Sequence, residues 1–188
     1  MRIVSRLTHR HRRWALPGLP LLHDWANPAD ADLDVFDSGV EEVDAYFRSR
    51  KWFNTTTGKS SPDTYQFRTD TGESIGYAAV AFKNCPDPLE SSTTKARYLA
   101  IFAAGLHRRF QGVDDPNAHG QTYAVSAFHT LEAFALKKDN CVGLYLWVRM
   151  DNPRGIAFYT KFGFEADPGG SILHGAGAPH LPMRKRLR

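Results

Sequence analysis

Two hydrophobic periods alternate along this 188-residue chain and divide it into elements. Ser38 stands three residues ahead of Glu41, the spacing of a capping box, and Val40, Val43 and Phe47 recur behind it at helical spacing. Arg48, Arg50 and Lys51 end that helix with the charge its dipole favours. Period two takes over at Thr64 to Arg68, where Tyr65 and Phe67 alternate with polar residues, and a second apolar run spans Ile75 to Phe82. The turn-rich stretch 69–73 between them predicts a hairpin, and the near-continuous second run predicts a strand covered on both faces. A polar loop leads to a third strand, about Tyr98 to Leu106. From about Gln121 to Lys138 the period is helical again, with Ala124, Phe128, Leu131 and Ala135 on one face. Val142 to Val148 reads as a short buried strand. Pro153 opens a helix that runs to about Phe162 and stops at Gly163. A Gly-rich loop (Gly169, Gly170, Gly175, Gly177) and a closing strand near His180 to Leu187 complete the chain.

This order of elements is that of an α/β domain, a mixed sheet with helices on both faces. Residues 1–34 stand apart from it. They open with Arg2, Arg6, Arg10, Arg12 and Arg13 among His9 and His11, and read as a basic arm or as a first edge strand around Ile3 to Leu7. Residues 35–188 form the domain proper.

Composition narrows the class. With 42% hydrophobic residues the chain is globular, and no apolar run is long enough to cross a bilayer. Cys85 and Cys141 lie far apart and the histidines are scattered, so no metal site is expected, and reduced cysteines fit a cytoplasmic protein. A net charge of +4 favours an anionic ligand without requiring nucleic acid, although the arginine-rich arm is a candidate for phosphate contacts. Phosphate loops, zinc-protease motifs and nucleophile elbows are all missing.

The chemistry concentrates in two stretches. Asn152-Pro153-Arg154-Gly155-Ile156-Ala157-Phe158-Tyr159-Thr160-Lys161-Phe162-Gly163-Phe164 follows a buried strand and opens a helix. Phe158, Phe162 and Phe164 are explained by packing, whereas the phenol of Tyr159 wants a hydrogen-bond partner. Asn152 and the Phe-Tyr-x-x-Phe-Gly-Phe close resemble a signature of the GNAT acetyltransferases. The resemblance implies acetyl-CoA as co-substrate, a GNAT-like, mostly antiparallel central sheet, Tyr159 as the acid that protonates the leaving thiolate, and Asn152 as a contact for the pantetheine arm.

The second stretch is Leu106-His107-Arg108-Arg109-Phe110-Gln111-Gly112, ahead of the long helix. It is similar to the family's Arg/Gln-x-x-Gly-x-Gly/Ala turn, which aims backbone amides at a pyrophosphate. Six residues, Val113 to Ala118, interrupt the pattern before His119-Gly120-Gln121-Thr122-Tyr123-Ala124. Asp114 and Asp115 within this insertion must point away from phosphates. By this resemblance Leu106, His107, Gln111, Gly112, Gly120, Gln121, Thr122 and Ala124 join Asn152 as cofactor-binding residues.

Phe36-Asp37-Ser38-Gly39 with Val43-Asp44-Ala45-Tyr46-Phe47 resembles the opening of the branch containing acetyltransferase toxins of toxin–antitoxin pairs. That implies aminoacyl-tRNA as acceptor, a cognate antitoxin and a homodimer. The tRNA reading requires Arg108, Arg109, Lys137, Lys138, Arg154, Lys161, Arg184, Lys185, Arg186 and the arm to form one surface. The alternatives are a small-molecule or protein amine as acceptor, and a non-catalytic GNAT fold that binds nucleic acid.

Overall fold

The hairpin expected from the middle of the chain is the spine of the sheet. In the computed structural model, which describes residues 22–55, 57–86, 95–167 and 179–188, the strands are β1 (Leu22–Trp25), β2 (Phe53–Asn54), β3 (Lys59–Ser60), β4 (Asp63–Arg68), β5 (Ser74–Pro86), β6 (Lys95–Leu106), β7 (Cys141–Arg149), β8 (Glu165–Ala166) and β9 (His180–Arg186). The helices are α1 (Glu41–Arg48), α2 (Tyr123–Leu136) and α3 (Pro153–Lys161). Seven strands pair in the order β1-β4-β5-β6-β7-β9-β8, while β2 and β3 form a separate small hairpin. Within the large sheet every pairing is antiparallel except β6 with β7.

Helices cover both faces of this sheet. Phe67, Ile75, Leu99, Ile101, Leu144, Leu146 and Met183 build the larger core with Phe128 and Leu131 of α2, and α3 adds Phe158 and Tyr159 at its edge. On the other face Phe47 of α1 packs with Phe36, Trp52, Tyr77 and Ala79. Period-two alternation in β4 and β5 sorts these residues: Phe67 and Ala78 go to one core, Tyr77 and Ala79 to the other. β5 is therefore covered on both sides, as its apolar run predicts.

Two local features depart from expectation. Ser38 does not cap α1, whose N-cap is Val40 without a side-chain bond. Gly39 turns the chain at φ +79, and Ser38 instead donates from both its hydroxyl (2.6 Å) and its amide (2.7 Å) to the buried Asp44 carboxylate. The same hydroxyl accepts from the Val40 amide at 3.3 Å, so Ser38 braces the turn ahead of the helix. At the amino-terminal side, the edge strand suggested around Ile3 to Leu7 lies outside the described residues, as does the Gly-rich loop. Within the described part of 1–34, Leu22–Trp25 pairs with β4, Trp25 stacks on Tyr65 at 4.8 Å, and Leu33 is fully buried. Among the described residues no helix is long and apolar enough to cross a membrane.

Gly143 of β7 tests the sheet at its tightest point. A Cβ there would lie 2.1 Å from the Lys185 carbonyl oxygen of β9. Gly143→Ala should therefore cost about 2–4 kcal/mol, read as a lowered urea midpoint with an unchanged slope.

Candidate active site

The parallel pair β6–β7 stops early. Its register runs from Arg97↔Cys141 to Ile101↔Leu146, and β6 then continues through Leu106 with β5 as its one strand partner. Part of the cause is a bulge: Val80 opposes Ile101 and Ala79 opposes Ala103, which leaves Phe102 as an extra residue on β6. A bulge bends its strand, so β6 and β7 diverge and the inner edge of β6 is left without a strand partner. A cleft of about 1000 Å³ opens beside that edge. Ala104, Gly105 and Leu106 line it from β6, Gln111 and Gly112 from the following turn, and Gly120, Gln121, Thr122, Ala124 and Val125 from the start of α2. Asn152, Arg154, Phe158 and Tyr159 close it from α3.

The start of α2 suits an anion. Thr122 is its N-cap with no side-chain bond, and no acidic residue occupies the first turn. Tyr123 donates its amide to Val113 O at 3.0 Å, whereas the Ala124 and Val125 amides find no acceptor among the described residues. Unpaired amides at the positive end of a 14-residue helix, bordering a cleft, fit a pyrophosphate group.

The insertion that breaks the sequence pattern closes on itself. Asp114 and Thr122 form an antiparallel bridge, and the Asp115 amide donates to Gln121 O at 2.7 Å. Residues 113–115 thus pair with 121–123, and the chain returns to where it left. Neither aspartate lines the cleft: Asp114 is exposed, and Asp115 is buried inside the loop, its Oδ1 accepting from the Asn117 amide at 2.9 Å.

Asn152 caps α3, its Oδ1 accepting from the Gly155 amide at 2.9 Å, which leaves Nδ2 for a ligand. Gly155 permits this approach, since a Cβ there would lie 2.7 Å from Asn152 Nδ2. Tyr159 is partly buried, its ring 5.5 Å from Phe128 and 5.7 Å from Phe164. Its hydroxyl has no partner among the described residues, and burial pushes its pKa up to about 12. A phenol so placed is a proton donor throughout the neutral range.

Two expected residues have other duties. The ring of His107 is buried and meets Phe36 edge-on at 4.9 Å, outside the cleft lining; burial, then Arg109, lowers its pKa. Gln111 reaches the cleft, but its Nε2 donates to Ser38 O (2.7 Å) and Leu106 O (3.0 Å), bracing the end of β6 against the loop before α1. The sequence offered Lys185 only as part of a tRNA-facing surface, whereas it lines the cleft from the closing strand. Its Nζ donates to Phe162 O at 2.7 Å and sits 3.9 Å from the Phe162 ring centroid. Only the β7–β9 pairing brings it there, and nothing local in the sequence signals that.

The sequence model of the acetyltransferase (GNAT) family matches residues 22–164. No curated protein sequence is a significant match. Among solved structures, a bacterial toxin aligns at TM-score 0.62 and 16% identity, covering 89% of this chain and 90% of the toxin. A variant of the toxin AtaT, bound to the C-terminus of the antitoxin AtaR and acetyl-CoA, aligns at 0.56 and 17%, covering 88% and 93%. Arabidopsis thaliana NAA60 with a bisubstrate analogue aligns at 0.57 and 13%, covering 89% and 99%. At such identities these structures share the fold, and the match over most of the chain establishes the family: the chain belongs to the GNAT acetyltransferases.

Thr122→Asp separates helix stability from anion binding. A carboxylate at the N-cap should stabilise α2, raising the melting temperature through roughly 0.3–1 kcal/mol of dipole and capping energy. The same charge occupies the positive pole, so affinity for coenzyme A, measured by calorimetry, should fall by about tenfold or more.

Proposed function

We propose that this chain is an N-acetyltransferase that carries the acetyl group of acetyl-CoA to a primary amine, with Tyr159 as the general acid. The observation that carries the reading is the meeting, in one cleft, of an acid-free helix N-terminus and a phenol that remains protonated. The Ala124 and Val125 amides, with Gly112 and Gly120 leaving room for backbone approach, would hold the pyrophosphate. The unpaired edge of β6 from Phe102 to Leu106 would bond the amides of the pantetheine arm, and Asn152 Nδ2 would hold it from the other side. An amide of that same edge would receive the oxygen of the thioester as it gains negative charge. Tyr159 would give its proton to the departing sulfur.

The acceptor is proposed as an amine recognised locally at the cleft. A tRNA acceptor asks for a continuous basic surface, whereas the described cations are mostly paired or gathered at the cleft itself, which Arg108, Arg154, Lys161 and Lys185 line. Arg108 pairs with Asp37, Arg109 with Glu73 and Lys185 with Glu132, while the partly buried Arg184 side chain lies beside Asp167. Lys137 and Lys138 stand at the far end of α2, about 20 Å from its N-terminus by helix rise. Arg154 and Lys161, exposed on α3 beside the cleft, face the region proposed for the cofactor. A structure of AtaT complexed with acetyl-methionyl-tRNAfMet is known, so aminoacylated tRNA belongs in the acceptor screen beside amino-acid amides and peptides with free N-termini.

Calorimetry should give a micromolar dissociation constant for acetyl-CoA, retained by Tyr159→Phe. That variant should lose about 100-fold in kcat, the range for removal of a general acid. The pH profile follows from the same residue. An ordinary phenol would be half ionised near pH 10, but burial holds Tyr159 protonated to about 12. The wild-type rate should therefore rise with pH as the amine loses its proton and show no falling limb up to pH 10. Absent binding at millimolar acetyl-CoA would turn the search to nucleic-acid partners.

A further inference from the structure

Across the sheet from Tyr159, the diverging end of β7 carries a group of charged side chains that the proposed cofactor site does not use. Trp147 and Arg149 of β7 stand opposite Pro182 and His180 of β9 in register. Their face is the one away from the larger core, which Leu146, Val148 and Met183 occupy. α1 reaches over from β6, where Val43 and Ser38 approach Gly105, and extends Glu42 toward β7 and β9. One Glu42 oxygen lies 3.3 Å from Arg149 Nη1 and the other 3.7 Å from His180 Nε2. Arg149 is also held by Asp151 at 2.6 Å.

Three properties point to a ligand. Glu42 and Asp151 outweigh Arg149, so these three side chains carry a net charge of about −1 and favour a cation. The imidazole is not spent on structure: the 3.7 Å gap at Nε2 is too long for a hydrogen bond, and Nδ1 is buried with no partner among the described residues. Two acceptors at that separation can, however, both bond a single ammonium nitrogen placed between them. Beside them is an apolar seat. Phe102, the bulged residue, is 46% exposed, and its ring lies 6.3 Å from that of Trp147 across the opening between β6 and β7.

We propose that Glu42 and His180 receive the acceptor as an α-ammonium whose neighbouring side chain is apolar and rests on Phe102 and Trp147, with His180 taking the ammonium proton. This rests on the acetyltransferase reading and adds its missing base. The proton moves from the ammonium to His180 Nε2, where Glu42 stabilises the imidazolium, and passes from there to solvent. The freed nitrogen forms a bond to the acetyl carbon as the carbon–sulfur bond breaks. The sulfur takes the Tyr159 proton, and the second proton lost by nitrogen restores the phenol. The sum is ammonium plus thioester giving amide, thiol and one proton. The groups facing His180 are Glu42 from α1 and Arg149 and Asp151 from β7 and the turn after it.

The test uses the full chain saturated with coenzyme A and titrated with phenylalaninamide, following the His180 ring by carbon–proton NMR assigned with His180→Gln. The ring signals should move saturably with the probe, and this shift should vanish in Glu42→Gln, a change at a half-exposed side chain that leaves the core intact. In turnover with acetyl-CoA, His180→Gln should lower kcat/KM at pH 7 by about tenfold or more. The deficit should close as pH rises and the free amine accumulates, with acetyl-CoA affinity unchanged. A ring that stays still at saturating phenylalaninamide, or a His180→Gln enzyme with the wild-type pH profile, overturns the proposal. So does transfer confined to aminoacylated tRNA with no response at His180. Failure to bind acetyl-CoA, or full activity in Tyr159→Phe, would instead sink the reading beneath it.

Discussion

Everything in this molecule that bears on chemistry depends on one interruption in the sheet's hydrogen bonding. β6 and β7 are its single parallel pair, and their ladder ends at Ile101↔Leu146 although both strands continue. A backbone edge left without a partner is costly unless water or a ligand bonds it. The bulge at Phe102 contributes to the divergence, and the strands on either side hold it open: β5 pairs with β6 as far as Leu106, and β9 pairs with β7 as far as Arg149. The opening is thus a rigid feature of two well-paired half-sheets.

The cores on the two faces then decide what reaches the opening. On one face Phe128, Phe158 and Phe164 fix α3 against α2 and set Tyr159 at the cleft, where the desolvation that raises its pKa is the same packing that positions it. On the other, Phe47 and Phe36 anchor α1, and the Ser38–Asp44 bonds orient its first turn, from which Glu42 extends. Gln111 ties the two together by bonding both Ser38 and Leu106. A single amide side chain therefore couples the loop before α1 to the strand end that borders the cleft.

Much of this was legible in the sequence because the signals are local. The strands β4 to β7, the helices α2 and α3 and the closing strand follow from period and punctuation, and the cleft residues from Gln111 to Ala124 were found by their resemblance to a turn feeding a helix. What escaped is non-local. The capping box at Ser38 failed because α1 begins two residues later than the box implies, at Glu41 behind Val40, while Ser38 bonds a buried Asp44 six residues on. β1 is only four residues long, and its pairing with β4 spans some forty residues of chain, so no local pattern announces it. His107 sits in the expected motif yet turns into the other core, since alternation along β6 sends it away from the cleft. Lys185 and His180 reach their places only through the register of β9 on β7. The closed geometry of 113–123 likewise required coordinates: the sequence says that the two aspartates must point away from a phosphate, and not that their loop folds back on itself to do so.

The most direct test of the central idea, that the unpaired edge of β6 and the start of α2 are the surface that binds acetyl-CoA, is amide hydrogen exchange with and without it. The account predicts strong slowing at Ala124, Val125 and the amides of Phe102 to Leu106 that face away from β5, with β4 and β5 unchanged. Binding that leaves those amides exchanging at their free rates, while protecting another part of the chain, would contradict it.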